Sequence, residues 1–280
     1  MVELTGMLLA VLAACFFGTY FVPLKRIKNV DHYHYQFFIG ISAMAISILT
    51  VVVLGISFQV NIPSIITGVM WTIGNLLVAN SFKYVGLSKI PIANGTIVLV
   101  SFFLGLVILQ EPFQSVILAL VGLSILLLGL PLVAIRGDGT KNLMKGIILL
   151  ISGGFIWGTM FAIPLLYKIQ ANSIILSMAL GVFLSGLFLF AIGRRKIEIK
   201  AAYNSLLSGV IWTIGNVFNI IALGLIGLAL TGPLTQLVIL VNIGWGLFYF
   251  KEVKSTDKMV KIIIGGIMLV IGAILLSSSK

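Results

Sequence analysis

The sequence predicts an all-α membrane protein, with ten transmembrane helices forming two inverted five-helix repeats around a central cavity. Three observations predict it: a shortage of charged residues, ten long apolar spans, and an internal repeat of nearly constant offset.

The 280 residues are 60% hydrophobic and only 9% charged, and their mean hydropathy is +1.22. A soluble domain carries roughly a quarter of its residues as charges, because its surface faces water. These polar side chains cannot cover such a surface, so the chain needs lipid as its solvent. In lipid, runs of about 20 apolar residues satisfy their backbone groups as helices. A membrane β-barrel alternates apolar and polar residues in strands of about ten. Residues 147–163 and 262–276 show no alternation.

Charges, prolines and small polar clusters divide the chain into apolar spans at 5–23, 35–56, 62–83, 91–110, 112–135, 146–167, 173–192, 203–225, 231–250 and 258–277. The connections are short, and the longest, 136–145, is Gly/Asp/Lys/Asn loop chemistry. Residues 1–17 run into Gly18–Val22 without a small-residue cleavage site, so they read as the first helix and not as a signal peptide. Cys15 is the only cysteine, which leaves no intrachain disulfide, zinc cluster or redox pair.

The spans repeat. Thr67-Gly-Val-Met-Trp-Thr-Ile-Gly-Asn75 returns as Ser208-Gly-Val-Ile-Trp-Thr-Ile-Gly-Asn216, 141 residues later (216 − 75). Gly18-Thr-Tyr-Phe21 returns as Gly158-Thr-Met-Phe161 after 140 (158 − 18), and each is followed by a proline, Pro23 or Pro164. Gly105 and Glu111 match Gly246 and Glu252. Several matches at one offset mark a duplicated five-helix unit, with halves at 1–137 and 138–280 inside one membrane domain.

An odd number of helices inverts the second copy, and charge tests this. Of eighteen basic residues, sixteen fall in loops that inversion places on one side, among them Lys25, Arg26, Lys83, Lys89, Arg194, Arg195, Lys251 and Lys254. Lys168 and Lys280 alone fall on the other. The positive-inside rule makes the crowded side cytoplasmic and puts both termini outside, in a plasma-membrane setting. The formal net charge of +11 is then loop charge facing anionic lipid, and no nucleic-acid partner is implied.

The inverted repeat, Gly18–Lys25 (GTYFVPLK) and the doubled WTIGN resemble the drug/metabolite transporter superfamily, nearest its glucose/ribose porter (sugar uptake) family. Leu109-Gln-Glu-Pro112 and Tyr249-Phe-Lys-Glu252 resemble that superfamily's helix ends, and Gly232-Pro-Leu-Thr-Gln236 is similar to the sugar family's second half. Two departures stand out. The first half reads Pro91-Ile-Ala-Asn-Gly-Thr96 where the second has Pro-Leu-Thr-Gln, and the first helix lacks the carboxylate that small multidrug members use for proton coupling. The resemblance implies that helices one to four and six to nine enclose the cavity, with five and ten at the periphery, and that sugar is the leading substrate class.

Trp71 and Trp212 lie about nine residues into their spans, which places both near the midplane and away from the interfacial aromatic belts. Asn75 and Asn216 follow one turn later, and Asn219 extends the second stripe. An indole beside amides suits a sugar, whose C–H face lies on the ring while its hydroxyls meet the amides. The same residues could instead tie helices together. Gln236, Asn94 and Asn242 are further candidates for the substrate, as are Thr19 and Thr159, which beside Gly18 and Gly158 could simply permit close helix contact. Pro23 and Pro164 weaken their helices toward opposite faces, either as gates of an alternating-access carrier or as static kinks. Glu111 and Glu252 are expected to tie helix ends to neighbouring donors. His32 and His34, at i and i+2, are assigned to a loop, so no metal and no cofactor are expected.

The leading expectation is therefore a transporter of a small polar solute, most of all a sugar. The alternative is an exporter of amino acids or amphipathic metabolites, through Met70, Met160, Phe161 and Phe218. An enzyme would need a nucleophile–base pair or metal ligands in mid-membrane, and the sequence offers none there. A homodimer stays open.

Overall fold

The computed structural model describes residues 2–27, 31–108, 114–137, 142–160, 162–193 and 198–279. Lys28, the Leu109–Pro112 motif with Glu111, Lys141, Phe161, Arg194 to Lys196 and Lys280 lie outside the described residues. All described elements are helical: α1 (Val2–Thr19), α2 (Val22–Lys25), α3 (His32–Val53), α4 (Ile62–Ser81), α5 (Pro91–Val107), α6 (Val116–Val133), α7 (Leu143–Met160), α8 (Ala162–Leu166), α9 (Ala171–Ile192), α10 (Ile199–Thr235), α11 (Val238–Gly244) and α12 (Thr256–Ser277). A 3₁₀ turn, Leu87–Lys89, precedes α5, and a π-helical turn, Trp245–Tyr249, follows α11.

Helix starts carry their own signals. Asp31 and Asn61 accept from the backbone N–H of Tyr33 and Ser64, both at 2.9 Å, and so cap α3 and α4. Pro63 sits in the first turn of α4 and Pro91 opens α5, where a missing N–H does no harm. Gly55 follows α3 with φ +62°, a backbone region that suits glycine.

Among the described residues, nine helices are long and apolar enough to cross a membrane, which makes the chain an integral membrane protein. Large apolar side chains such as Leu8, Val53, Ile117, Leu128 and Phe188 stay exposed along the helices, as a lipid-facing surface requires. The expected ten separate spans need adjusting in the second half. The eighth and ninth, 203–225 and 231–250, do not separate at residues 226–230. Helix α10 runs on to Thr235, and the turn comes at Gln236–Leu237, after Pro233 has withheld its donor. What remains of the ninth span is a shorter apolar helix, Val238–Tyr249.

Packing follows small residues. Helix α1 lies along α10 and α4 along α7; α4 packs on α9 and α10 on α3; α5 lies on α7 and α11 on α1. Helix α3 pairs with α9, and α6 with α12. Moving five spans along the chain turns each pairing into another of the same set. Glycines make these contacts close, as in lipid, where small residues replace a hydrophobic driving force between helices. A methyl group on Gly18 would collide with Val241, and one on Gly158 would fall 2.7 Å from Val100. On Gly68 it would strike the α9 backbone at Met178, and on Gly209 the α3 backbone, 2.8 Å from Ile39.

Candidate functional site

Because α4 and α10 both pack on the α3–α9 pair, their tryptophans meet. The rings of Trp71 and Trp212 stand 3.9 Å apart between centroids, tilted by 34°, and only 3% and 4% of the two residues remain accessible. That is van der Waals contact between two tilted rings. Trp157 Nε1 donates to the Trp71 carbonyl at 3.2 Å, so a third indole pins this turn of α4. The ring of Tyr20 lies 6.4 Å from that of Trp71.

Asn75, one turn beyond Trp71, is fully buried and joins two helices to its own. Its Oδ1 accepts from the Tyr20 hydroxyl at 2.9 Å, and its Nδ2 donates to Gln36 Oε1 at 3.2 Å. Beside it, the buried Tyr35 hydroxyl lies within reach of the Asn75 and Ser208 side chains without a close, well-directed hydrogen bond to either. Gln36 Nε2 and Ser208 Oγ are likewise buried without a partner. The helices bring Ser208 here through a direct contact: Ser42 Oγ on α3 donates to the Leu206 carbonyl on α10 at 2.9 Å. Tyr20, Tyr35, Gln36, Asn75 and Ser208 thus form one polar nest against the tryptophan pair.

The other expected site residues spread around it. Asn216 is buried, with its Nδ2 4.0 Å from Met178 Sδ, a weak partner. Asn219 is half-buried on the same helix, and Gln236 occupies the half-buried turn that ends α10. Asn94 on α5 and Asn242 on α11 are buried, each with one amide atom unpartnered. Thr19 donates to the Cys15 carbonyl at 2.7 Å and accepts from Trp245 Nε1 at 3.0 Å. Thr159 donates to the Ile156 carbonyl at 2.9 Å. Both threonine hydroxyls are occupied within the protein, and Gly18 and Gly158 do permit close helix contact. Pro23 lies in the first turn of α2, just past the Tyr20–Phe21 turn that breaks the first span, and Pro164 is buried within α8.

Glu252 is tied down as expected. It pairs with Lys25 at the end of α2, and accepts from the backbone N–H of Leu87 at 2.7 Å and of Ser88 at 2.9 Å. Gly86 and Gly246 leave room for the carboxylate: a Cβ on Gly246 would stand 2.7 Å from Glu252 Oε2, and one on Gly86 would collide with the carboxyl group. Burial alone would raise the Glu252 pKa, but the Lys25 ammonium and the Ser88 donors outweigh it and hold it below the usual carboxylate value. Next to this pair, Arg26 donates to the Tyr249 hydroxyl at 2.6 Å. One end of the molecule therefore gathers Lys25, Arg26, Lys89 and Glu252, and the Asn61–Ser177 contact at 3.1 Å lies at the other.

Tyr20, Tyr35, Gln36 and Ser208 escape a reading based on repeats, because their partners at the repeat offset are Met160, Leu176, Ser177 and Thr67. The available signal is polarity alone: a Gln and a Tyr side by side in an apolar span. No group of three or more His, Cys, Asp or Glu that could hold a metal occurs among the described residues.

The comparisons with known proteins agree with a transporter. The family model described as sugar transport protein matches residues 8–278. The glucose uptake protein GlcU of Bacillus subtilis is 27% identical over 287 residues, covering 98% of both chains. A Listeria innocua protein whose name assigns it to sugar uptake is 29% identical over 240 residues, covering 83% of this chain and 82% of that one. A crystal structure with 13% identity superposes at a TM-score of 0.68 over 96% of this chain and 95% of its own, which shows a shared fold. The chain belongs to the sugar transport protein family.

Proposed function

We propose that the chain carries a neutral sugar across the membrane by alternating access, with the sugar entering between Trp71 and Trp212 and hydrogen-bonding to Asn75. The observation that carries this is the buried tryptophan pair joined to an amide nest at the junction of α4 and α10. An indole face matches the C–H face of a pyranose, and amides both donate to and accept from hydroxyls. At 3.9 Å the rings fill the space a sugar would use, so this is the closed form and the pair must part to admit substrate. Asn216, on the opposite side of the pair, is the second amide of the site.

Two inverted halves, in the drug/metabolite transporter arrangement, account for the exchange of helix pairings across five spans and for the matched contacts of Gly18 with Val241 and Gly158 with Val100. The basic end is cytoplasmic, both termini are outside, and the breaks near Pro23 and Pro164 serve as the two gates. Glu252 closes the cytoplasmic side by joining α2 to the turn before α5. A carrier without a carboxylate in mid-membrane runs downhill or on an ion other than a proton.

Purified protein in liposomes, offered labelled pentoses, hexoses, amino acids and cationic dyes, tests the reading. Counterflow of a hexose or pentose supports it. Counterflow of amino acids or dyes, with every sugar excluded, replaces it with export of amphipathic metabolites.

A further inference from the structure

Three buried polar groups beside Asn75 make no close hydrogen bond: the Tyr35 hydroxyl and Ser208 Oγ, which face one another, and Gln36 Nε2. Their residues are 1%, 0% and 0% accessible. Native interiors satisfy almost every such group, and an orphan in a low-dielectric setting is destabilising. Three such groups gather around one amide where the helices meet closely at Gly209, Ile39 and Ser42, so a loose fit between helices does not account for them.

We infer that Tyr35, Gln36 and Ser208 form a hydroxyl-reading subsite that recognises adjacent hydroxyls of a neutral monosaccharide. The inference rests on the sugar-transport reading and adds to it the residues that set specificity. The hydroxyls of Tyr35 and Ser208 each donate and accept, whereas Gln36 Nε2 only donates. The complementary ligand therefore offers lone pairs and O–H groups together, as vicinal hydroxyls do. A carboxylate or phosphate would only accept, and the nest supplies no cation to compensate it. An ammonium would only donate, and it would meet the Gln36 N–H groups head-on. A charge buried here without a counter-charge is disfavoured far more than a neutral polyol.

Position supports the same assignment. Asn75 lies one turn after Trp71 on α4, and Ser208 one turn before Trp212 on α10. The two helices enter the nest from opposite chain directions, so both residues fall on the same side of the tryptophan pair, toward the end that holds Lys25 and Glu252. The corresponding positions on the other side are Met160, Leu176, Ser177 and Thr67, and the hydroxyls of Thr67 and Ser177 already donate to the Met160 carbonyl at 3.1 Å and the Ser173 carbonyl at 3.0 Å. The three groups of the nest thus lie on one side of the tryptophan pair, and Asn216 lies on the other.

The test uses the full-length protein in liposomes and counterflow of D-glucose and its 2-, 3-, 4- and 6-deoxy analogues. The parent is expected to show a KM about tenfold higher for at least one analogue, the loss of one neutral hydrogen bond. In Tyr35→Phe or Ser208→Ala the KM for glucose rises to that level and the ratio falls to about one. Trp71→Phe should instead raise all five values together, which a merely structural role for the nest would not separate. Should Tyr35→Phe fail to fold, Ser208→Ala, which removes one atom, carries the test alone. Discrimination that persists unchanged in the folded variants overturns the subsite, as does a parent that accepts every analogue equally. Both outcomes leave sugar transport standing. A parent that counterflows neither these five nor any other hexose or pentose overturns the sugar reading, and the subsite with it.

Discussion

Asn75 ties α4 to the Tyr20 turn and to α3. Removing it leaves the Tyr20 hydroxyl and Gln36 Oε1 buried with nothing to bond. Its removal also leaves unpaired the sugar hydroxyl that Asn75 meets, so Asn75→Ala should lower sugar affinity by about five- to a hundredfold, roughly 1–3 kcal/mol, in equilibrium binding to purified protein. Trp71→Phe and Trp212→Phe keep the stacking surface partly intact and should weaken binding less than Trp→Ala. Normal binding by all of these variants would reduce the pair and its amide to packing. Of the nest, Asn75 alone was legible beforehand. Trp71, Asn75, Trp212 and Asn216 stand out because the repeated WTIGN segment preserves them, and a search for repetition finds what its two copies share. Tyr20, Tyr35, Gln36 and Ser208 are what the halves do not share. Thr19 and Thr159 proved to be bonded to their own helices, as hydroxyls in apolar helices commonly are.

Among the elements, glycine placement decides which helices can approach. A side chain on Gly68 must displace the α9 backbone between Met178 and Val182, whereas nothing lies within 4 Å of a Cβ on Gly224. Gly68→Val should lose about 1–3 kcal/mol by overpacking, and Gly224→Ala should gain up to about 1 kcal/mol of helix propensity, both measured by thermal melting in detergent. Glu252 fastens the end of α2 to the turn before α5. Glu252→Gln should cost roughly 1.5–3 kcal/mol by weakening bonds to a charged group. The sign with pH follows from its depressed pKa. The contribution is complete above the ordinary value of 4.5 and is lost as pH falls through the lower folded value. The melting difference between parent and variant should be flat near neutrality and shrink below about pH 4.5. The break between α10 and α11 was not legible: the expected gap fell at 226–230, whereas the chain stays helical there and turns at Gln236–Leu237.

For the whole molecule, the long apolar spans foretold an all-helical membrane chain, because lipid leaves few alternatives to packed helices. Orientation follows from where the basic loops gather. With Cys15 replaced by alanine, a cysteine at position 58, between α3 and α4, should react with an impermeant reagent added outside intact cells, and one at position 254 should not. The reverse pattern would invert the topology without touching the fold. The account as a whole stands on a neutral sugar binding beside Trp71, Trp212 and Asn75, and counterflow of labelled glucose in liposomes, without any ion gradient, tests it most directly. The parent should accumulate label transiently above the outside concentration, and Asn75→Ala, folded in equal amount, should do so at least about fivefold more slowly. Equal rates for parent and variant, or no counterflow of any neutral sugar by the parent, would contradict it.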